Sequence, residues 1–358
     1  MNAKERYLAV FDDVNRKKLD RVPTFVQYLR PEFIRLHEEK FLVKNLPFHT
    51  NIPGFMEANF IGFESIFGDV HPGLRVNRVK VEDENGKKVA VSWNGQPTSK
   101  RFGYYKKGLF FSLENFNKVR ETLRVVDDSI EIKKDFDRFD VISSYLFPIV
   151  GVGGIFDTLW QSMGFKHFSI HHHKNSKLYQ ELIKYFAELT RIKVQAIIDA
   201  TGNRAGIINI LDDIAFKGRP MISPERWEKD YGRYYKEICS LITDAGMKVQ
   251  IHSDGDVTDM IPILKKLGFS GLQGWEGGAD PVAINEKYPD FVVVGFGDIS
   301  NVLPFGSKHE IFNHVKELMD ALKENRHFII GPSTVIYEGI PYENVIYFTE
   351  ASKHYGKY

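Results

Sequence analysis

The chain has 358 residues, 43% of them hydrophobic and 13% aromatic, which is enough apolar mass for a large core and too much for a disordered segment. Forty-eight lysines and arginines against 47 aspartates and glutamates leave a formal charge of +1, so no overall field favours nucleic acid or an anionic membrane. The single cysteine, Cys239, excludes an internal disulfide and an all-cysteine zinc site; with a charged N-terminus and no apolar run of about 18 residues, it points to a cytoplasmic setting.

Residues 4–18 carry Tyr7, Leu8, Phe11 and Val14 at helical spacing, and "DRVPTFVQY" then reads as a turn and a first strand at 24–28. A second strand is expected at 60–68. Between 76 and 105 the pattern changes to two alternating runs joined at Asn85-Gly86, a hairpin signal. From about residue 143 the rhythm is regular. Apolar runs in "SSYLFPIVGV", "GIINILDD", "MKVQIHSDGD", "FSGLQGWEGG", "FVVVGFGDIS" and "HFIIGPST" are separated by helical stretches, giving eight strands in all. Strand and helix alternating at this spacing imply parallel pairing through crossover helices, and eight such units close an α/β (β/α)8 TIM barrel.

In such a barrel functional residues gather where strands end and βα loops begin. Those positions hold Gln27 and Tyr28, Asp69, Asp212 and Asp213, His252 with Asp254 and Asp256, Gln273 with Trp275 and Glu276, Asp298, and Ser333 with Thr334. One histidine among several carboxylates suits a metal ion held by nitrogen and oxygen, or a substrate rich in N–H donors. Simpler roles compete at several positions. Asp280 before Pro281 reads as a helix N-cap, Asp256 as a cap for "VTDMIPILKKLG", and Asp213 as a possible loop cap. Trp275 and Phe296 are open between mouth aromatics and core. Cys239 lies at helical spacing from Tyr235 and Ile242 and is expected to be buried and inert; the histidines at 171–173 read as a solvated approach to a helix. "GVGG" at 151–154 lacks the glycine order of a dinucleotide loop.

The succession "LDDIAFKGRPMISPERWEKDY", "GMKVQIHSDGDVTDMIPILKKLG", "VVVGFGDISNVLPFGSKHEI" and "IIGPSTVIYEGIPYENVIYFTEASKHYGKY" resembles the uroporphyrinogen decarboxylase superfamily. The resemblance implies one barrel domain over residues 1–358, with 76–105 as a hairpin insertion. It also implies one of two chemistries: cofactor-free decarboxylation of uroporphyrinogen, or zinc-dependent methyl transfer with a corrinoid protein. The decarboxylases carry a first-strand motif close to "MRQAGRY", whose arginines hold substrate carboxylates, and a late histidine after the eighth strand. Here "VQYLRPEF" offers Arg30 alone, and Thr334 takes the late position. The methyltransferases have a His-x-Cys pair after the fifth strand and another cysteine after the eighth. His252 keeps the first ligand, Asp254 stands at the first cysteine and Thr334 near the second.

The resemblance therefore points to a methyltransferase-like enzyme moving a methyl group between a small methylated compound and a corrinoid protein. Its implied metal ligands are His252, Asp254 and Glu276, for zinc or another divalent ion of harder preference. Asp213, His252 and Asp298 form the catalytic set, the two acids orienting the substrate or the ligating histidine. Gln27, Tyr28, Asp69, Gln273, Trp275 and Thr334 are the expected substrate contacts, Asp69 in the place of the aspartate that gathers pyrrole N–H groups. The alternatives are a metal-free decarboxylase and a non-catalytic tetrapyrrole- or corrinoid-binding barrel. No nucleic-acid or membrane partner is expected; the oligomeric state stays open, a homodimer included.

Overall fold

The computed structural model describes residues 1–27, 29–41, 69–71, 75–76, 79–82, 86, 88–91, 108–122, 124–125, 129–140, 143, 146–275 and 277–358. Within them a circuit of parallel pairings closes on itself. Ile207–Leu211 lies between Val150–Gly153 and Lys248–Ser253, and Gly271–Gly274, Val292–Gly297 and Phe328–Pro332 follow in order. Thr24 then bridges to Ile330 of the last strand, and Phe25 to Val70. Val70–His71 pairs with Phe147–Pro148, which continues into Val150–Gly153 and completes the ring. The fold is thus a (β/α)8 barrel, with its first strand at Thr24 and Phe25 and its second at Val70–His71 and Arg75–Val76. The expected second strand at 60–68 lies outside the described residues.

Alternation along each strand sorts two cores. Val249 and Ile251 face the helical shell, with Ile208, Ile210, Leu272 and Val293. Ile207, Val292, Val294 and Ile329 face the lumen, joined there by Phe25, Val70 and Phe147. Because both faces are covered, the strands read as near-continuous apolar runs. The lumen is closed from below by the N-terminal helix Ala3–Ala9, which begins with an Asn2–Glu5 capping box. Its fully buried Tyr7 packs against Phe11, Phe25 and Phe147, and the Tyr7 hydroxyl donates to Gln250 Oε1 at 2.8 Å. The helix therefore touches the strand that carries His252, two residues below it.

Val76 pairs with Val152 inside the barrel, so the β excursion expected from residue 76 begins beyond it. Val79–Glu82 and Lys88–Val91 form the antiparallel hairpin, with Gly86 at φ 73° between them, and Arg124–Val125 adds a third strand. The helices Lys177–Thr201 and Pro224–Asp244 start at the serine N-caps Ser176 and Ser223. Cys239 is buried in the latter, where burial pushes its thiol up to about 12, as expected of a small core residue. His171, His172 and His173 end the helix Phe165–His173 and lead into Lys177–Thr201; His172 stacks on Phe168 with ring centroids 5.5 Å apart. No helix among the described residues is long and apolar enough to cross a membrane.

Candidate active site

Lys248–Ser253 delivers His252 to the barrel mouth because the two-residue period places it on the lumen side, two positions above Gln250. Its Nδ1 lies 3.1 Å from the carbonyl oxygen of Gln273, which can only accept, so the proton sits on Nδ1 and the Nε2 lone pair faces the mouth. Gln27 from the first strand donates to that Nε2 at 3.1 Å, and Thr334 from the eighth donates to Gln27 Oε1 at 3.3 Å. The Gln273 amide donates to the Ser333 carbonyl at 3.0 Å. Strands one, five, six and eight are thereby tied together around one imidazole.

Two carboxylates converge on the same lone pair. His252 Nε2 is 3.6 Å from Asp213 Oδ1 and 3.8 Å from Asp254 Oδ1. One ligating atom from each residue lies within 4.8 Å of the other two, a spacing a single metal ion would fit. Asp213 also accepts from the Asp254 amide at 3.1 Å, which fixes the two acids relative to each other. The glycine in "HSDGD" has its own cause. Gly255 sits at φ 88°, and a Cβ there would come within 2.6 Å of the Phe216 carbonyl, where the loop hairpin Ala215–Phe216 and Arg219–Pro220 lies on it.

Behind the pair stands Asp212, fully buried and engaged in capping. Its Oδ1 accepts from the Asp157 amide at 2.6 Å, its Oδ2 accepts from the Tyr235 hydroxyl, and that hydroxyl accepts from the Ile155 amide at 2.8 Å. Asp212 and Tyr235 thus satisfy the first turn of the helix Ile155–Met163, whose own N-cap, Gly154, has no side chain to do so. A Cβ on Gly154 would strike the Asp212 side chain, so "GVGG" is the end of the third strand running into a close-packed helix N-cap. Burial, outweighing these hydrogen bonds, pushes the Asp212 carboxyl up to about 7. Asp157, held by two hydrogen bonds from Gln161, is raised well above the usual carboxylate range by burial and then by the charges of Asp213 and Asp212. The sequence reading passed over Asp157; the strand-end glycines three residues before it were the available signal.

The remaining expected residues divide. Asp69 precedes the second strand, so it lies at the closed end of the barrel. Both its oxygens are occupied by Arg6 at 2.5 Å, Arg21 at 2.6 and 2.8 Å, and Thr24 at 2.9 Å. This corrects the substrate role expected for it: Asp69 anchors the N-terminal helix. Gln273, the register partner of His252 on the next strand, is wholly buried and is not among the residues lining the mouth cavity. Asp298 lines the mouth but also caps its own loop, accepting from the Ser300 and Asn301 amides at 2.7 and 2.8 Å; against burial, these bonds hold its carboxyl below the ordinary value. Asp256 caps Thr258 and Asp280 caps the helix Pro281–Lys287, as expected. Arg30 pairs with Glu338 at 3.7 Å. Tyr28 and Glu276 lie outside the described residues.

Above the imidazole opens a cavity of about 1080 Å³, lined by Asp213, Asp254 and Asp298 together with Trp160, Trp275 and Phe296. Lys217 is the one cationic side chain among its described lining residues. The class is now defined: an eight-stranded parallel α/β barrel with a histidine and carboxylates gathered at the C-terminal ends of its strands, where barrels of this kind carry their sites. The family model for uroporphyrinogen decarboxylase (URO-D) matches residues 112–355, and the chain belongs to that family. Among solved structures, a methyltransferase from Methanosarcina mazei superposes with a TM-score of 0.61 at 16% identity, covering 99% of each chain, and so shares the fold. A Listeria monocytogenes protein assigned as a vitamin-B12 independent methionine synthase gives 0.46 at 14% identity, over 94% of this chain and 96% of that one. The sequence matches no curated protein.

Proposed function

We propose that the protein is a methyltransferase of this family, moving a methyl group between a small methylated compound and a corrinoid protein. One observation carries the reading: His252, Asp213 and Asp254 converge on a single point at the floor of the mouth. The methyltransferase from Methanosarcina mazei supports it through a fold shared over nearly the whole chain.

The donor set fits a divalent ion. The Gln273 carbonyl fixes the tautomer and turn of the His252 ring, the usual service of a second partner to a ligating imidazole. Two carboxylates in place of thiolates make the set harder than a zinc-thiolate site, so manganese, iron or zinc are all accommodated. When bound, such an ion supplies Lewis acidity for the heteroatom that bears or accepts the methyl group. The protein's own part is positioning. Gln27 holds the imidazole Nε2 from the first strand, Asp213 holds the Asp254 backbone, and the Phe216 backbone packs closely on Gly255 beside them. Glu276, Tyr28 and Thr334 remain proposed contacts of the same mouth, and the single-domain organisation with its hairpin insertion is likewise our reading.

Decarboxylation of a tetrapyrrole is the second reading, favoured by the family model itself. Against it stand three carboxylates and one lysine in the described cavity wall, and an Arg30 already paired to Glu338. Each unpaired substrate carboxylate taken out of water costs on the order of several kcal/mol. The deciding experiment is metal analysis of protein purified without added metal, together with methyl-transfer assays on the reduced corrinoid carrier. One bound ion per chain, lost in Asp213→Asn, is expected. Carbon dioxide release from uroporphyrinogen at an enzymatic rate would replace methyl transfer by decarboxylation.

A further inference from the structure

We infer that the methyl-bearing group of the substrate is a small onium cation, a methylated ammonium or sulfonium, seated on the wall formed by Trp275 and Phe296 beside the Asp298 carboxylate. The inference rests on the reading of the mouth as a methyl-transfer site and names its substrate class. Trp275 and Phe296 end adjacent strands and both line the cavity, with centroids 5.4 Å apart and planes at 14°. Aromatic faces joined to a carboxylate are how proteins hold quaternary ammonium and sulfonium cations, which are weakly hydrated and have no hydrogen to donate. Asp298 supplies the charge: the amides of its own loop keep it ionised, and it is not among the residues converging on His252. A divalent ion at His252 would neutralise Asp213 and Asp254 and leave Asp298 as the described wall's remaining anion.

A neutral donor would need no carboxylate there, and a carboxylated donor would face repulsion from it. Transfer from an onium donor breaks one carbon–heteroatom bond, whose electron pair stays on nitrogen or sulfur. The new bond to the methyl carbon forms with the lone pair of the acceptor, the reduced corrinoid of the proposed reaction. The donor leaves as a neutral amine or thioether, so the attraction to the wall disappears with the reaction and the product is released.

The test is titration calorimetry on the full chain, metal-free and metal-loaded, with tetramethylammonium, trimethylsulfonium, choline and the uncharged choline isostere 3,3-dimethylbutan-1-ol. Choline is expected to bind about tenfold or more tightly than the isostere, and the two simple cations show whether nitrogen or sulfur is preferred. Phe296→Leu and Asp298→Asn are each expected to weaken choline about tenfold and the isostere much less, while Phe296→Tyr retains affinity. Should Phe296→Leu fail to fold, Asp298→Asn and the isostere comparison still decide. Equal binding of choline and isostere, or tighter binding of succinate than of choline, overturns the inference even if a metal is found at His252. Cation binding without any methyl transfer upholds this site and overturns the reaction instead.

Discussion

The indole of Trp275 and the ring of Phe296 lie stacked on backbones that both occupy the left-handed region, at φ 70° and 67°. Each follows a glycine, and those glycines, Gly274 and Gly295, are register partners on neighbouring strands with φ of 135° and 132°. Two strands therefore end in the same glycine-aromatic step, side by side. A left-handed conformation at a bulky residue costs about 1–3 kcal/mol and persists only where its surroundings enforce it. The expected consequence is an inverted order of stability. Phe296→Gly should be more stable than Phe296→Ala by about 1 kcal/mol, whereas at an ordinary strand position alanine is the better by about half that or more. Denaturant melts of the two variants measure it, and an Ala variant above the Gly variant would refute the strain.

At the metal site, Asp254→Cys places a thiolate beside His252 Nε2. With the present carboxyl oxygen 3.8 Å from that nitrogen, the two side chains already converge. Zinc affinity is expected to rise on the order of tenfold relative to manganese, since thiolate is the softer ligand. Competition between the two metals, read by metal analysis after dialysis, checks it. No change in preference would show that Asp254 does not ligate.

Asp69→Asn separates architecture from chemistry. The substitution removes the anion between the buried Arg6, which keeps Asp20, and the half-buried Arg21, so the cost is expected at about 3 kcal/mol, the low end for a broken buried pair. The melting temperature should fall by several degrees, while choline affinity measured well below the transition stays at the parent value. Loss of binding without loss of stability would return Asp69 to the site.

Lys193, on the helix Lys177–Thr201, is buried, and burial alone lowers its ammonium to about 8 from an ordinary 10.5. Between those values the unfolded chain holds the extra proton, so this residue's contribution makes stability rise with pH through the window from about 8 to 10.5. Below pH 8 both states are protonated and the full burial cost, on the order of 3 kcal/mol, is present. Lys193→Met should therefore be more stable than the parent at pH 7, with the difference shrinking as pH rises past 8. Paired melts at pH 7 and pH 10 test it; a constant difference would mean the lysine is solvated.

The strand-helix rhythm from residue 143 onward, the eight-fold barrel and the position of His252 at a strand end were legible in the sequence because they follow from local periodicity. An apolar run bounded by glycine and acid reads the same wherever it folds. Asp256 and Asp280 were likewise read correctly as caps, since a cap is satisfied within three residues of itself. Which acids meet at the imidazole was decided only by closure of the barrel. Asp213 and His252 are 39 residues apart and on different strands, and only the parallel register of Leu211 with His252 sets them side by side. The same closure moved Asp69 from the expected mouth to the closed end, because a strand that begins after it, and not before it, reverses the end at which its carboxylate emerges. Asp157 was harder to read for a related reason: its carboxyl is raised by burial and then by Asp213 and Asp212 at the end of another strand, and beyond the glycines that precede it no local spacing encodes that. Local sequence determines what each segment can be, whereas which charges share a cavity is a property of the closed ring alone.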